Sequence, residues 1–128
     1  YSEIKKEFPN SELCMVGPDK ENLIEECKMF ADDLGVNVNF TGKLEKNEWI
    51  ELSKKYDIFL NTTHFDNMPV SVMEAMALGL AIVSTNVGGL PFLVQNCYNG
   101  ILVADDDYLD MIEAIRKLCF DKNLFLEL

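Results

Sequence analysis

Asp66 and Glu74 stand eight residues apart, with Asn67, Met68, Pro69, Val70 and Ser71 between them. They belong to a stretch, Asp57 to Gly89, that reads DIFLNTTHFDNMPVSVMEAMALGLAIVSTNVGG. Pro69 suits the first turn of a helix, where a missing N–H costs nothing, and Gly79 is a usual residue just past a helix end. The pattern therefore predicts a helix from Pro69 to Leu78, with Asp66 on the loop before it and Glu74 more than one turn inside it. Ala75, Met76 and Ala77 crowd Glu74 with apolar neighbours, and a carboxylate in such a place costs several kcal/mol unless it finds donors. Ribose and sugar hydroxyls are suitable donors. The amino end of the same helix offers free N–H groups and a positive dipole end to a phosphate.

A structural reading of the same residues competes with this one. Ser71-Val72-Met73-Glu74 matches the capping box, in which Glu74 only reaches back to a backbone N–H at an ordinary helix start. That reading requires Ser71 as the N-cap, whereas a helix beginning at Pro69 places Glu74 too deep to cap. The two predict different helix starts.

The elements that must position these residues follow from the pattern around them. Ile58 to Leu60 has the length and flanks of a buried strand, and Leu80 to Ser84 is a second one. Asn86-Val87-Gly88-Gly89 is a glycine-rich turn after it. Both loops then lie at carboxyl ends of strands, where parallel α/β sheets bind ligands. Upstream, Tyr1 to Phe8 reads as a helix, Leu13 to Val16 as a strand, Lys20 to Leu34 as a helix, Val36 to Phe40 as a strand and Lys46 to Tyr56 as a helix. Downstream, Leu90 to Gln95 reads as a short helix, Gly100 to Val103 as the last strand and Tyr108 to Phe120 as the final helix, with Leu109, Ile112, Ile115 and Leu118 or Cys119 on one face. Strands alternating with helices on short loops imply right-handed βαβ units and a parallel sheet.

Asp66 to Pro91, DNMPVSVMEAMALGLAIVSTNVGGLP, resembles the donor-binding motif of glycosyltransferase family 4, retaining enzymes of the GT-B fold. That family carries two acids in an E-x7-E pattern, then E-A-M-A-x-G, a strand and a G-G-x-P turn. The resemblance extends from Leu13-Cys14-Met15-Val16-Gly17 to Asn99-Gly100-Ile101-Leu102-Val103. It implies an α/β fold, a Rossmann-like doubly wound parallel sheet in the order 3-2-1-4-5-6, here lacking its first strand. It implies that Glu74 holds the nucleotide ribose and Asp66 the hydroxyls of the donor sugar, the two residues on which catalysis would rest. Backbone N–H groups around Asn67, Met68, Val70 and Ser71 would face the diphosphate, and the turn at Gly42 would approach the base. The sequence departs from the family at Asp66, where Glu is usual, and at Phe92, where an acid often follows G-G-x-P.

The resemblance implies that the chain, one domain of residues 1–128, forms most of the carboxy-terminal, donor-binding half of a glycosyltransferase. The parent would move a sugar from a nucleotide diphosphate sugar to an acceptor hydroxyl. The acceptor site would come from a missing amino-terminal domain, so the piece alone should be inactive. The absent first strand would carry the Arg and Lys that clasp the diphosphate. Its loss predicts that the first two remaining strands either close up against Asp57–Asn61 or self-associate with another chain, since unpaired strand edges invite pairing. The chain begins at Tyr1 rather than Met, which also suggests a piece of something longer. The alternatives are a non-catalytic α/β module that binds a nucleotide or a protein, and a sugar-nucleotide epimerase of similar architecture.

Composition narrows the partners. A length of 128 residues with 48% hydrophobic and 26% charged content suits one folded domain. A net charge of −11 disfavours nucleic acid or an anionic membrane, though local N–H groups still accommodate a phosphorylated ligand. No run approaches the ~18 apolar residues of a membrane span, and a cytoplasmic location is expected, a peripheral place for the parent at the inner face of a membrane being left open. The four cysteines, Cys14, Cys27, Cys97 and Cys119, lack metal-type spacing and read as small core residues of a reduced protein. Asp105-Asp106-Asp107 contains D-x-D, but directly before a helix it is expected to cap. The resembling family is metal-independent, so no metal or other cofactor is expected. His64 lies two residues before Asp66, as a solvated loop residue or a sugar contact. Met73, Met76 and Leu78 are read as core.

Overall fold

A computed structural model of the chain describes every residue except Glu21 and Leu128, and of Glu127 the backbone only. The expected helix from Lys20 to Leu34 thus includes one residue outside the described set. The chain divides into two compact units, Tyr1–Trp49 and Ile50–Leu128, each described by itself.

The first unit begins with α1 (Ser2–Glu7), whose Ile4 is buried. The Tyr1 hydroxyl and the Lys5 ammonium both donate to the Ser11 carbonyl, at 2.8 and 2.6 Å, and tie the helix to the chain that leaves it. Strand β1 (Leu13–Val16), helix α2 (Ile24–Asp33) and strand β2 (Val38–Gly42) follow. The strands pair in parallel, Leu13 opposite Val38 through Val16 opposite Gly42, with a register shift after Met15. Helix α2 starts later than its apolar spacing suggested, and just before it the Asp19 carboxylate accepts the Leu23 N–H at 2.8 Å. Gly35, at φ +65, takes the left-handed position that ends it. Helix α3 (Lys46–Ser53) runs across the boundary between the units.

The second unit holds β3 (Ile58–Asn61), α4 (Val70–Ala77), β4 (Ala81–Thr85), α5 (Leu90–Leu93), β5 (Ile101–Val103), α6 (Tyr108–Phe120) and α7 (Lys122–Glu127). Its three strands form a parallel sheet in the order β3-β4-β5, Ile58 opposite Ala81 and Val83 opposite Ile101. Every residue of the central β4 is buried, as expected for a parallel strand covered on both faces. Alternate side chains meet different layers. Ala81 and Val83 join Ile101, Val103, Ala114 and Leu118 in one core against α6, while Ile82 approaches Val94 and Gly100.

Several expectations are corrected. Among the described residues β3 pairs with β4 alone and β1 with β2 alone. The buried face of α6 centres on Met111, Ala114 and Leu118, and Leu109 is exposed. Met73 is exposed, and α4 buries Val72 and Ala75 instead. All four cysteines are free, Cys14 and Cys27 half-buried and Cys97 and Cys119 exposed, so none is a core residue. Small units bury a smaller share of their surface. Helix α7 had no counterpart in the periodicity; Asp121 starts it by accepting the N–H groups of Asn123 and Leu124.

Candidate functional site

The site residues gather on the loop between β3 and α4 and on the first turns of α4, at the carboxyl edge of the second unit's sheet. Side chains of β3 and β4 anchor that loop from beneath. The Asn61 amide donates to the Ser84 hydroxyl at 3.0 Å, and the buried Thr85 hydroxyl donates to the Thr63 carbonyl at 2.6 Å. From above, the turn after β4 closes over it: the Gly89 N–H donates to the Asp66 carbonyl at 2.8 Å.

Within the loop, Asp66 is half-buried and its Oδ1 accepts the Met68 N–H at 2.9 Å. The Val70 N–H donates to the Met68 carbonyl at 2.8 Å, and the first helical bond runs from Met73 N–H to the Pro69 carbonyl at 3.0 Å. Pro69 is therefore the N-cap of α4, and no side chain caps it. This start removes the capping-box reading, which needed Ser71 as N-cap. Glu74 lies more than one turn in, half-buried, and its carboxylate has no hydrogen-bond partner among the described residues. The N–H groups of Met68 and Val70 are engaged inside the loop, while that of the exposed Ser71 finds no backbone partner among the described residues, and Val72 is fully buried. One free carboxylate, a second carboxylate with one oxygen free, and one open N–H group at a helix start thus share one short segment. Such a segment can take hydroxyls on its acids and an anion at its helix end.

Of the expected site residues, Asp66, Asn67, Met68, Val70, Ser71 and Glu74 come together here. Gly42 lies in the first unit at the end of β2, at φ +70, with its carbonyl accepting the Gly17 N–H at 3.0 Å. Phe92, on α5, is 94% exposed.

The acidic run before α6 divides its work. Asp107 is the N-cap and accepts the Asp110 N–H at 2.9 Å, as the sequence implied for the run. Asp105 instead accepts from His64 Nδ1 at 2.8 Å, with Asp106 at 3.7 Å. The hydrogen bond to Asp105, then the charges of Asp105 and Asp106, raise the His64 pKa above its ordinary value. These three side chains are the one set of possible metal-ligand atoms that lie within 4.8 Å of one another among the described residues, and all three are exposed.

Sequence reasoning missed Asn61, Ser84 and Thr85 as supports of the loop. Their only signal was small polar residues at the carboxyl ends of two apolar strands, where side chains face the loops.

Comparison with known proteins bears on the whole chain. The family model described as "Glycosyl transferases group 1" matches residues 1–121. A D-inositol 3-phosphate glycosyltransferase of Corynebacterium jeikeium is 30% identical over 105 residues, 80% of this chain and 25% of that protein. The crystal structure of the C-terminal domain of a group 1 family glycosyl transferase from Francisella tularensis superposes with a TM-score of 0.86 at 21% identity, covering 98% of this chain and 68% of that one. An Anabaena protein crystallised with UDP-glucose superposes with a TM-score of 0.84 at 21% identity, covering 93% of this chain and 34% of that one. The chain spans about a quarter to a third of the length of curated relatives it matches. The fold is that of GT-B carboxy-terminal domains, Rossmann-like with parallel strands. No described helix is long and apolar enough to cross a membrane.

Proposed function

This chain belongs to the group 1 glycosyltransferases, and from that premise we propose that it is the donor-binding part of a retaining enzyme. The enzyme moves a sugar from a nucleotide diphosphate sugar to an acceptor hydroxyl. The observation that carries this reading is the pairing, on one loop and one helix, of an unpartnered Glu74 carboxylate with the open N–H group of the exposed Ser71. Glu74 takes the ribose hydroxyls, and the Ser71 N–H and the helix dipole take the diphosphate. Asp66 takes sugar hydroxyls with the oxygen that Met68 leaves free. In the reaction the bond from the anomeric carbon to the diphosphate breaks as the bond from the acceptor oxygen forms. The acceptor proton leaves with the diphosphate, so stabilising that departing anion is the main service this segment renders.

The Anabaena neighbour crystallised with UDP-glucose supports a donor of this class. Acceptor recognition belongs to a part of the parent outside this chain, and the 128 residues alone are inactive in transfer. No metal enters the proposal; the charge of the diphosphate is met by the Ser71 N–H and the helix end. The test is a protein NMR titration of this chain with UDP, GDP and their glucose and mannose conjugates, repeated on Glu74→Ala. Saturable shifts confined to residues 66–74 and abolished by Glu74→Ala support the reading and identify the base. Absence of shifts at millimolar ligand defeats it for this chain and favours a module that never bound nucleotide.

A further inference from the structure

We infer that Gly89, with Gly88 beside it, is a positioning residue for the donor loop, and that it sets how well Asp66 can distinguish a nucleotide sugar from the bare nucleotide. The inference rests on the donor-site reading for Asp66, but its structural half stands without it.

The backbone of Gly89 has φ −83 and ψ −8, an ordinary helical conformation open to any residue. Conformation therefore does not demand glycine at this position. Space does. A Cβ on Gly89 would sit 2.2 Å from the Asn67 carbonyl oxygen and 3.0 Å from its carbon, both backbone atoms. At Gly88, which also holds φ +54, a Cβ would sit 2.1 Å from the Asp66 carbonyl oxygen. Gly79, Gly42, Gly35 and Gly17 have nothing within 4 Å of the same position. The clash thus distinguishes the pair at 88 and 89 from turns that use glycine for its dihedral freedom alone.

The contact falls on the segment that orients the acid. The Gly89 N–H holds the Asp66 carbonyl at 2.8 Å, and one residue further the Met68 N–H holds the Asp66 carboxylate at 2.9 Å. A methyl group at 89 must push the Asn67 carbonyl away by ~0.8 Å to reach a separation of 3.0 Å, below which Cβ contacts are essentially absent. A displacement of that size moves the plane of the Asn67–Met68 peptide, whose N–H holds the Asp66 carboxylate. Asp is one methylene shorter than the Glu usual in the resembling family, so Asp66 has less reach with which to absorb it. Glu74 sits on α4, whose first bond runs from Met73 to Pro69, and is insulated from the shift by the helix.

The test uses this chain, nitrogen-15 labelled, as wild type, Gly89→Ala and Gly79→Ala. Gly79, at φ +78 with open space around it, controls for loss of stability without contact on the loop. Without ligand, Gly89→Ala should shift the Asn67 and Met68 amides and speed hydrogen exchange at Met68 about tenfold or more, while Gly79→Ala leaves them in place. With UDP and UDP-glucose as probes, Gly89→Ala should lower the ratio of UDP-glucose to UDP affinity about tenfold while UDP affinity stays within about twofold. A general structural defect would weaken both probes together. Unchanged Met68 exchange in Gly89→Ala overturns the inference whatever the ligands do, and so does parallel loss of both probes. Should wild type bind neither probe while Met68 responds as expected, the donor-site reading fails and the clamp stands. Should Gly89→Ala not fold, wild type decides: the clamp predicts that the Gly89 and Met68 amides exchange with matching protection, and a freely exchanging Gly89 amide refutes it.

Discussion

Replacing Thr85 by Val removes one oxygen and almost no volume, and it should loosen the donor loop from beneath. The Thr85 side chain is 4% exposed, and its hydroxyl donates to the Thr63 carbonyl at 2.6 Å, across 22 residues of sequence. Valine puts a methyl group of similar size where the hydroxyl was, so the change falls chiefly on the hydrogen bond. The Thr63 carbonyl is left without that donor in a partly buried place, at a cost of about 1–2 kcal/mol. The second unit, Ile50–Leu128, is of a size at which each kcal/mol moves the melting temperature by roughly 4–8 °C. Thr85→Val should therefore melt roughly 4–16 °C lower, read by circular dichroism, and should expose the amides of residues 63–68 to faster exchange. Thr85→Ser keeps the hydroxyl and loses only a methyl, so it should keep loop protection even if it melts somewhat lower. A Thr85→Val protein that melts at or above wild type, with loop exchange unchanged, would refute the claim that this bond anchors the loop.

Two further predictions concern the second unit. Leu118, 2% exposed, packs α6 onto Val83, Ile101 and Val103; Leu118→Ala should cost about 2–5 kcal/mol in a urea unfolding curve, and a loss under about 1 kcal/mol would place the core elsewhere. The folded-state pKa of His64 is raised above 6.5 chiefly by its hydrogen bond to Asp105, so the linkage has a definite sign. The stabilisation of the loop by this pair is complete below about pH 6.5 and is lost as the pH rises through the raised value. An NMR titration of the His64 ring should show a midpoint above 6.5 that falls in Asp105→Asn and with added salt, since the pair is exposed. A midpoint at or below 6.5 in wild type contradicts the pairing.

Much of this molecule is legible in the residues. The bounds of β1 and α6 coincide with the apolar runs that suggested them, because each is delimited by local chemistry: polar residues around Leu13–Val16, and Asp107 capping Tyr108–Phe120. The order of elements around Asp66 and Glu74 was equally plain, since Pro69 and Gly79 bracket α4 in the chain itself. What stayed hidden depends on contacts between distant residues. The late start of α2 goes with an Asp19 bond to the Leu23 N–H just before it. The pairing of His64 with Asp105 spans 41 residues, and composition near either residue gives no sign of it. Gly88 and Gly89 read as an ordinary turn until the backbone of Asp66 and Asn67 is seen passing against them. The N–H groups of Met68 and Val70 looked open in the sequence and are engaged within their own loop, which leaves that of Ser71 as the exposed one without a backbone partner among the described residues.

The central claim is a division of labour between two acids, Glu74 on the nucleotide and Asp66 on the sugar. Calorimetric titration of UDP and UDP-glucose into wild type, Asp66→Asn and Glu74→Gln tests it most directly. The account predicts that Glu74→Gln weakens both ligands by the same factor, about tenfold or more, whereas Asp66→Asn weakens UDP-glucose and leaves UDP unchanged. Equal losses for both ligands in Asp66→Asn, or none for either in Glu74→Gln, would contradict it.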